Sequence, residues 1–424
     1  MYSLDTNKSV LVLCPVEEEA RLPAGRRGKN TISGRFDSLK QNALSVISVA
    51  CLLASSVAIL VFAMSSDSGG KRDFIAYWAA GQQLAHGENP YDPTAILRLE
   101  RPAGLEGNRP NLMLNLPTAF FLVLPLGYLS ARTGGALWLL ALIACLMASN
   151  RMLWMLYGRP AGRLHLLGYL FAPVLACLIA GQLGIFILLG VVLFLHFHQS
   201  SPFLAGAALL LCAIKPHLFV PFGLVLLAWG VNRKAYRLLS GTCVALLAST
   251  ALSFCVDRHA WPQYARMMKS TAEVQQDFVP TFSMGLRLMI DRNALWLQFL
   301  PLAAACIWAL WYFWTRRASW DWMEEGLLLL LVSEACSPHA WFTDEAIVLP
   351  AILAAVYRTD AAGRSLLPFG LIAGVALIEV LTGVQVTSPF YMWTAPAWLL
   401  WYLFATRKKV SQPPSIDVDA TIAG

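Results

Sequence analysis

Charged residues are scarce in this sequence. Only 13% of the 424 residues are Asp, Glu, Lys or Arg, 57% are apolar, and the mean hydropathy is +0.57. A soluble domain usually has about 25% charged and about 45–50% apolar residues. The scarcity of charge therefore excludes an ordinary soluble domain and predicts an all-α polytopic membrane protein.

Several chemical motifs are missing as well. The nine cysteines are scattered and include no Cys-x-x-Cys pair, which argues against a metal knuckle or a disulfide framework. Neither a P-loop nor a dinucleotide fingerprint occurs, and the histidines lack metal-ligand spacing. The sequence thus predicts no cofactor, indicates no metal site and leaves a role for a divalent metal open. The net charge of +7 does not indicate a nucleic-acid partner, because excess Lys and Arg in membrane proteins usually lies in cytoplasmic loops.

A polar leader precedes the first apolar run. It contains seven Lys or Arg residues before Ala43, a pattern that does not fit a cleavable signal peptide. We expect residues 1–42 to be a disordered cytoplasmic leader, residues 43–406 to form the membrane domain, and residues 407–424 to be a cytoplasmic tail.

Thirteen apolar runs are candidates for spanning helices, which need about 20 apolar residues each. They are Ala43–Met64, Leu112–Leu129, Ala136–Tyr157, Leu164–Ala180, Ile185–His198, Phe203–Ile214, Leu218–Val231, Leu238–Cys255, Leu295–Trp314, Gly326–Cys336, Ala346–Tyr357, Leu366–Val384 and Phe390–Ala405. Basic residues between the later runs, such as Arg233 and Arg316, predict that both termini are cytoplasmic, so the number of spans must be even. We predict about twelve spans. The Pro-containing run Leu112–Leu129 or the break at Lys215-Pro216 would explain the odd count.

Polar features collect on one side of the membrane in this scheme. Two long loops face outward, Ser65–Asn111 and Val256–Asn293, together with the turns at Gly181–Gly184, Lys215–His217 and Ser337–Glu345. A transporter would place such features near the middle of the bilayer.

The first outer loop opens with Lys-Arg-Asp-Phe-Ile-Ala-Tyr-Trp-Ala-Ala-Gly, from Lys71 to Gly81. Its aromatic residues fall near helical spacing, which predicts amphipathic helices lying in the membrane interface. Asp73 lies at the mouth of the first span, where a charge is energetically unfavourable. Its carboxylate suits a general base. Two simpler interpretations stay open: Asp73 caps the helix, or it pairs with Lys71 or Arg72.

The stretch from Asp73 to Gly81, followed by Gly-Glu-Asn-Pro-Tyr-Asp-Pro at residues 87–93, resembles the pattern of glycosyltransferase family 87. Members of this family are multi-spanning GT-C-type enzymes, similar to polyprenol-phosphate-mannose-dependent mannosyltransferases. Further landmarks recur in the family's order as far as Pro350. They are Asn115-Leu-Pro117 with Pro125, where the family has Tyr-Pro-Pro; Gly181-Gln182 with Gly184, where Asn is usual; Lys215-Pro216; and Ser337-Pro338-His339 with Asp344.

The resemblance implies a GT-C-type bundle and a reaction. A hexose, such as mannose, would pass from a polyprenyl phosphate to a glycan or glycolipid acceptor on the outer face of the bacterial plasma membrane. Asp73 would be the general base, and Lys215 and His217 would bind the donor phosphate. The residues expected to contact the sugar or the acceptor are Tyr77, Trp78, Tyr91, Gln182, His339 and Asp344.

Alternatives stay open for single residues and for the whole chain. One alternative is that Lys215 only snorkels to lipid headgroups; another is that His339 and Asp344 belong to a simple capping turn. A transporter or flippase would show charged residues in mid-span and an internal repeat. An envelope-polysaccharide polymerase or ligase would show Arg-rich outer loops, whereas the loops here are charge-balanced. The absence of a nucleotide-binding motif favours a lipid-linked donor over a nucleotide sugar.

Overall fold

The computed structural model describes residues 73–160, 162–274, 278–384 and 388–407, which belong to one compact unit of the chain. The described ranges are helical and contain no β-strand. The α-helices are α1 (Phe74–Ala85), α2 (Pro93–Glu100), α3 (Phe120–Val123), α4 (Ala131–Leu156), α5 (Leu167–Leu170), α6 (Ala172–Ala180), α7 (Gly184–Phe197), α8 (Pro202–Ala208), α9 (Val220–Asn232), α10 (Tyr236–Val256), α11 (Ala260–Val274), α12 (Phe282–Ile290), α13 (Leu300–Arg316), α14 (Glu325–Ala335), α15 (Leu349–Ala361), α16 (Leu367–Leu381) and α17 (Thr394–Thr406). The 3-10 helices are Pro117–Ala119, Leu124–Tyr128, Leu164–Leu166, Cys212–Ile214, Pro216–Phe219, Leu295–Phe299, Asp344–Val348 and Pro389–Tyr391.

Three of the described helical stretches are long and apolar enough to cross a membrane: α4, α10 and Leu295–Arg316, which includes α13. Six shorter apolar stretches accompany them: Pro117–Tyr128, Leu164–Ala180, Gly184–Phe197, Pro202–Ile214, Pro216–Asn232 and Leu367–Leu381. The prediction of a helical membrane protein is confirmed, and the count of twelve spans stays a prediction. The predicted leader, the predicted first span Ala43–Met64 and the tail from residue 408 lie outside the described residues.

Two regions were suspected of not forming a complete spanning helix, the run Leu112–Leu129 and the break at Lys215-Pro216. The structure shows an interrupted helix in both. Pro117–Tyr128 is built from two 3-10 helices around α3. With a rise of about 2.0 Å per residue in the 3-10 helices and about 1.5 Å in α3, its length is about 22 Å, short of the hydrocarbon thickness of about 30 Å. At the other place, Lys215 separates Pro202–Ile214 from Pro216–Asn232.

Helix α1 is buried inside the protein: ten of its twelve residues are buried. A Cβ atom added to Gly81 would lie 2.3 Å from the carbonyl oxygen of Val123, and one added to Gly127 would lie 2.0 Å from the carbonyl oxygen of Gly81. The backbones of α1 and Leu124–Tyr128 therefore touch. The prediction that α1 lies in the membrane interface is wrong, because its small residues let neighbouring segments cover the sides expected to face headgroups.

The sequence Asn-Pro-Tyr-Asp-Pro forms the capped start of α2. The Oδ1 atom of Asp92 accepts hydrogen bonds from the backbone N–H groups of Thr94 (2.8 Å) and Ala95 (3.2 Å). Pro93 occupies the first turn of the helix, where its fixed φ is favourable and its missing N–H costs nothing. The helix then buries Ile96 and Glu100, so this motif anchors the chain that follows α1.

Basic connections that were predicted to share one side of the membrane contact each other in pairs. The guanidinium of Arg233 donates to the carbonyl oxygen of Arg317 at 3.0 Å. That of Arg364 donates to the carbonyl oxygens of Ala405 (3.2 Å) and Arg407 (2.9 Å).

Candidate active site

The structure brings together four predicted site residues that lie far apart in the sequence. Asp73 directly precedes α1, and Gln182 follows the end of α6. Lys215 lies at the break between two 3-10 helices, and Asp344 begins the 3-10 helix that leads into α15. Hydrogen bonds connect them in the order Asp73, Gln182, Lys215 and Asp344.

Gln182 is the centre of this network and is buried. Its amide nitrogen, Nε2, donates a hydrogen bond to the carboxylate of Asp73. Its Oε1 atom accepts from the hydroxyl of Tyr77 (2.8 Å), the backbone N–H of Leu183 (3.3 Å) and the ammonium of Lys215 (3.4 Å). Because three donors face the oxygen and a carboxylate faces the nitrogen, the amide has one orientation. Both ends of Gln182 therefore hold protein groups in place.

A left-handed turn delivers Gln182 to this position. Gly181 ends α6 with φ at 71°, a conformation that glycine adopts without strain. A Cβ atom there would also lie 2.8 Å from the Cβ atom of Phe74. The carbonyl oxygen of Gly181 accepts a hydrogen bond from Trp138 Nε1 at 2.8 Å, which ties the turn to α4.

The Asp73 side chain does not cap α1, although Asp73 occupies the N-cap position. The capping interpretation is therefore wrong, and the carboxylate instead accepts a hydrogen bond from the side chain of Gln182. Burial raises the pKa of the Asp73 carboxyl, while the hydrogen bond from Gln182 and the charge of Lys215 oppose that rise. Its two possible basic partners, Lys71 and Arg72, lie outside the described residues.

Lys215 and Asp344 form a buried ion pair. The Nζ atom of Lys215 lies 2.6 Å from Oδ1 of Asp344, and the exposed fractions of the two side chains are 10% and 0%. Oδ2 of Asp344 accepts the backbone N–H of Trp341 at 3.1 Å. Taking two charges out of water costs several kcal/mol per ion unless geometry and hydrogen bonds compensate, so the contacts with Gln182 and Trp341 are part of what keeps this pair in place.

Two imidazoles lie beside the ion pair. The rings of His217 and His339 meet edge to face with centroids 5.8 Å apart, and His339 meets Trp341 in the same way at 5.5 Å. Burial lowers the pKa of His339, so it is neutral at pH 7. In the part of the chain that is described, no group of three or more His, Cys, Asp or Glu side chains could hold a metal ion.

Tyr91 and Trp78 form side-chain hydrogen bonds outside the network. The hydroxyl of Tyr91 donates to the carbonyl oxygen of Asn115 at 3.1 Å, and the indole of Trp78 donates to the carbonyl oxygen of Leu129 at 2.9 Å. The side-chain amide of Asn115 in turn donates to the carbonyl oxygen of Ile214 at 3.3 Å. Tyr91 therefore reaches the site indirectly, by supporting the residue that precedes Lys215.

Both departures from the family pattern lie at backbone contacts. Asn115, where the family has Tyr, holds the carbonyl of Ile214. A Cβ atom at Gly184, where Asn is usual, would lie 2.7 Å from the carbonyl oxygen of Thr343. Glycine at this position thus lets the turn after α6 approach the segment that carries Asp344.

Two residues that support Asp73 were not predicted from the sequence. Glu100 is fully buried, and its Oε2 atom accepts the backbone N–H of Asn111 at 3.0 Å. The side chain of Asn111 in turn acts on Asp73, where it opposes the rise in pKa that burial causes. Burial raises the pKa of Glu100 to about 7. No local pattern indicated this pair, because the contact depends on how the chain folds back after α2.

Glu334 and Glu345 were also missed, and both are buried close to the ion pair. Here a signal was present. Glu334 lies in the apolar run Gly326–Cys336, and an ionisable residue within a predicted span is by default a candidate for a functional site.

Comparison with known proteins agrees with the landmarks in the sequence. The sequence model of glycosyltransferase family 87 matches residues 114–338, just over half of the 424 residues. The matched region contains Gln182, Lys215 and His217, while Asp73 precedes it and Asp344 follows it. No curated protein and no solved structure matches the chain. The chain belongs to glycosyltransferase family 87, and its apolar helices make it a membrane glycosyltransferase.

Proposed function

We propose that this protein transfers a hexose, such as mannose, from a polyprenyl-phosphate donor to a glycan or glycolipid acceptor. The reaction takes place at the outer face of the bacterial plasma membrane, and both termini are cytoplasmic. The contacts of Arg233 with Arg317 and of Arg364 with Arg407 support this orientation, because basic connections of one membrane side are expected to lie together.

The observation that carries the proposal is the arrangement around the amide of Gln182. The amide nitrogen holds the carboxylate of Asp73, and the amide oxygen accepts from the ammonium of Lys215. A proton acceptor and a fixed positive charge therefore lie on opposite ends of one side chain. Glycosyl transfer needs both, since a hydroxyl loses a proton at one point while negative charge develops on a leaving phosphate at another.

In this reaction the acceptor hydroxyl oxygen attacks the anomeric carbon of the donor. The bond between that carbon and the phosphate oxygen breaks, and the polyprenyl phosphate leaves with the electron pair. Asp73 takes the hydroxyl proton. Burial raises the pKa of this carboxyl, which makes it a better proton acceptor than an ordinary aspartate once it is ionised.

Lys215 retains capacity to bind the leaving phosphate although it is paired with Asp344. An ammonium has three N–H donors, and among the described residues Lys215 uses two of them, on Asp344 at 2.6 Å and on Gln182 at 3.4 Å. The third donor is available to a phosphate oxygen. His217 and His339 lie beside the ion pair, and their neutral rings can hydrogen-bond the phosphate or the sugar.

The test is a donor panel with the purified protein in nanodiscs. Polyprenyl-phosphate hexoses and the matching nucleotide sugars are offered with a glycan acceptor, and consumption of donor is followed by mass spectrometry. We expect one polyprenyl-phosphate hexose to be consumed with release of polyprenyl phosphate. Use of a nucleotide sugar instead, or no consumption of any donor by folded protein, would contradict the proposal.

A further inference from the structure

Two buried glutamates close to the Lys215–Asp344 pair differ in their hydrogen bonding. Glu345, 4% exposed, accepts hydrogen bonds on both carboxylate oxygens, from the hydroxyl of Thr394 and from Trp398 Nε1. Glu334, 3% exposed, has no hydrogen-bond partner on either oxygen among the described residues.

The position of Glu334 places it next to the candidate active site. It is the last residue but one of α14, a helix that packs against Pro216–Phe219 and against Asp344–Val348. The turn that carries His339 follows directly. The charges of Asp344, Glu345 and Lys215 all act on the Glu334 carboxyl, so it lies in the same electrostatic environment as the ion pair.

Stability alone does not account for a glutamate at this position. A buried polar group without a partner destabilises the folded protein, and α14 otherwise buries mainly leucines, including Leu330 and Leu331. Apolar replacement of an unpartnered buried group is often neutral or stabilising. Buried polar groups without partners are rare and call for a specific explanation.

Glu334 is not alone in this part of the molecule. The Nε2 atom of His217 and the Oγ1 atom of Thr343 are likewise buried without a hydrogen-bond partner in the described ranges. His217 interacts electrostatically with Asp344 and Lys215, and Thr343 directly precedes Asp344. Unpartnered buried atoms occur elsewhere in the described ranges as well, but three residues that have them lie near this one ion pair, and Glu334 has two such atoms. A group of this kind suits a ligand with several hydroxyl groups.

We propose that Glu334 binds the sugar of the donor by hydrogen bonding to its hydroxyl groups, with His217 Nε2 as a second partner. This inference rests on the proposed function and extends it, because it identifies a residue that selects the hexosyl group. A site built to hydrogen-bond a hydroxyl discriminates strongly against an analogue that lacks it. Donors with a single hydroxyl replaced by hydrogen should therefore be used poorly when the missing hydroxyl is the one that Glu334 binds.

The experiment compares Glu334→Leu and Glu334→Gln with the control Glu345→Leu. The thermal transition is measured without ligand, and KM is measured for the polyprenyl-phosphate hexose that wild-type protein uses. We expect Glu334→Leu to leave the transition unchanged or raise it, and to raise donor KM by about ten- to a hundredfold. Glu334→Gln should raise KM less, since its amide still hydrogen-bonds. Glu345→Leu should lower the transition, because Thr394 and Trp398 lose their acceptor.

Three other outcomes would overturn the assignment of Glu334, the proposed function, or both. If Glu334→Leu lowers the thermal transition as much as Glu345→Leu does, Glu334 is structural and the inference is overturned. If both Glu334 variants keep the wild-type KM and the wild-type discrimination against deoxy donors, the inference is likewise overturned while the proposed function stands. If wild-type protein consumes no polyprenyl-phosphate sugar, the proposed function is overturned and the assignment of Glu334 to its donor is overturned with it.

Discussion

Residues 73–128 precede the long helix α4 and residues 257–299 lie between α10 and α13, and the two segments are built differently. The first segment begins with α1, which has ten of its twelve residues buried. The second contains α11 and α12, and it leaves large apolar side chains on the surface: Met289 is 87% exposed and Trp296 is 65% exposed. Helix α1 is therefore part of the protein core, whereas α12 and the residues that follow it offer an apolar surface that suits contact with lipid.

The two segments also contribute to different parts of the candidate active site. The first supplies Asp73 itself and supports Lys215 through the hydrogen bond from Asn115 to Ile214. The second supports the turn that carries His339: Ser283 Oγ donates to the carbonyl of Cys336 at 3.3 Å, and Gln298 Nε2 donates to that of Pro338 at 2.6 Å. The proposed base thus directly precedes a buried helix, whereas the more exposed segment contributes hydrogen bonds that support the turn of His339.

The largest expected effect is a difference in kcat between variants of one aspartate in each segment, Asp73 and Asp291. Asp73→Asn keeps the size of the side chain but cannot take the acceptor's proton, so kcat should fall by about 10²–10⁴-fold. Asp291→Asn is the matched control in the second segment. Asp291 accepts the backbone N–H of Asn293 at 2.9 Å, and asparagine can make the same contact, so kcat should stay near the wild-type value.

The measurement is single-turnover transfer from the polyprenyl-phosphate donor, together with donor binding. Binding should survive in the Asp73 variant, since Lys215, the residue proposed to bind the phosphate, is unchanged. In the wild type the rate should increase as pH rises through a range above that of an ordinary aspartate, because burial raises the pKa of Asp73 and the ionised form is the base. Near-wild-type turnover by folded Asp73→Asn protein would remove Asp73 from the mechanism.

A smaller effect is expected on thermal stability when one glycine in each segment is replaced by alanine. In Gly81→Ala the new Cβ would meet the backbone of Val123 at 2.3 Å, whereas in Gly285→Ala it would meet only the terminal Cε of Met392 at 2.3 Å. Overpacking against a rigid neighbour typically costs about 1–3 kcal/mol, while a flexible methionine can move. Gly81→Ala should therefore lower the thermal transition clearly and Gly285→Ala hardly at all. Equal losses would show that the second segment is as tightly held as the first.

The smallest expected effect concerns the pH dependence of stability in the first segment. The pKa of Glu100 is raised by burial from 4.5 to about 7, so the folded protein binds this proton more tightly than the unfolded chain does. The resulting stabilisation is full below pH 4.5 and is lost as pH rises through about 7. Glu100→Gln keeps an acceptor for the Asn111 N–H and should flatten this decline. Thermal transitions between pH 4.5 and 8 would measure it, and an unchanged decline would mean that another group causes it.

Sequence patterns predicted several elements of the site, and they did so where the signal is local. The acid before α1, the glycine turn before Gln182 and the Lys-Pro break at Lys215 are all visible as short motifs, and the structure places them together. The patterns failed for α1, whose aromatic spacing indicated an interfacial helix. Burial of a helix depends on what packs against it, and the contact between Gly81 and Gly127 cannot be seen within α1 itself.

The sequence by itself determined that this chain is a helical membrane protein and a family 87 glycosyltransferase, because hydropathy and the spacing of motifs are properties of consecutive residues. Only the tertiary structure decided which polar groups are partners. Asp73 and Gln182 are 109 residues apart and Lys215 and Asp344 are 129 residues apart. It also decided that both carboxylate oxygens of Glu345 are hydrogen-bonded, while those of Glu334 have no hydrogen-bond partner among the described residues. Hydrogen bonds act over about 3 Å, so only the packing of distant segments can bring such groups within reach.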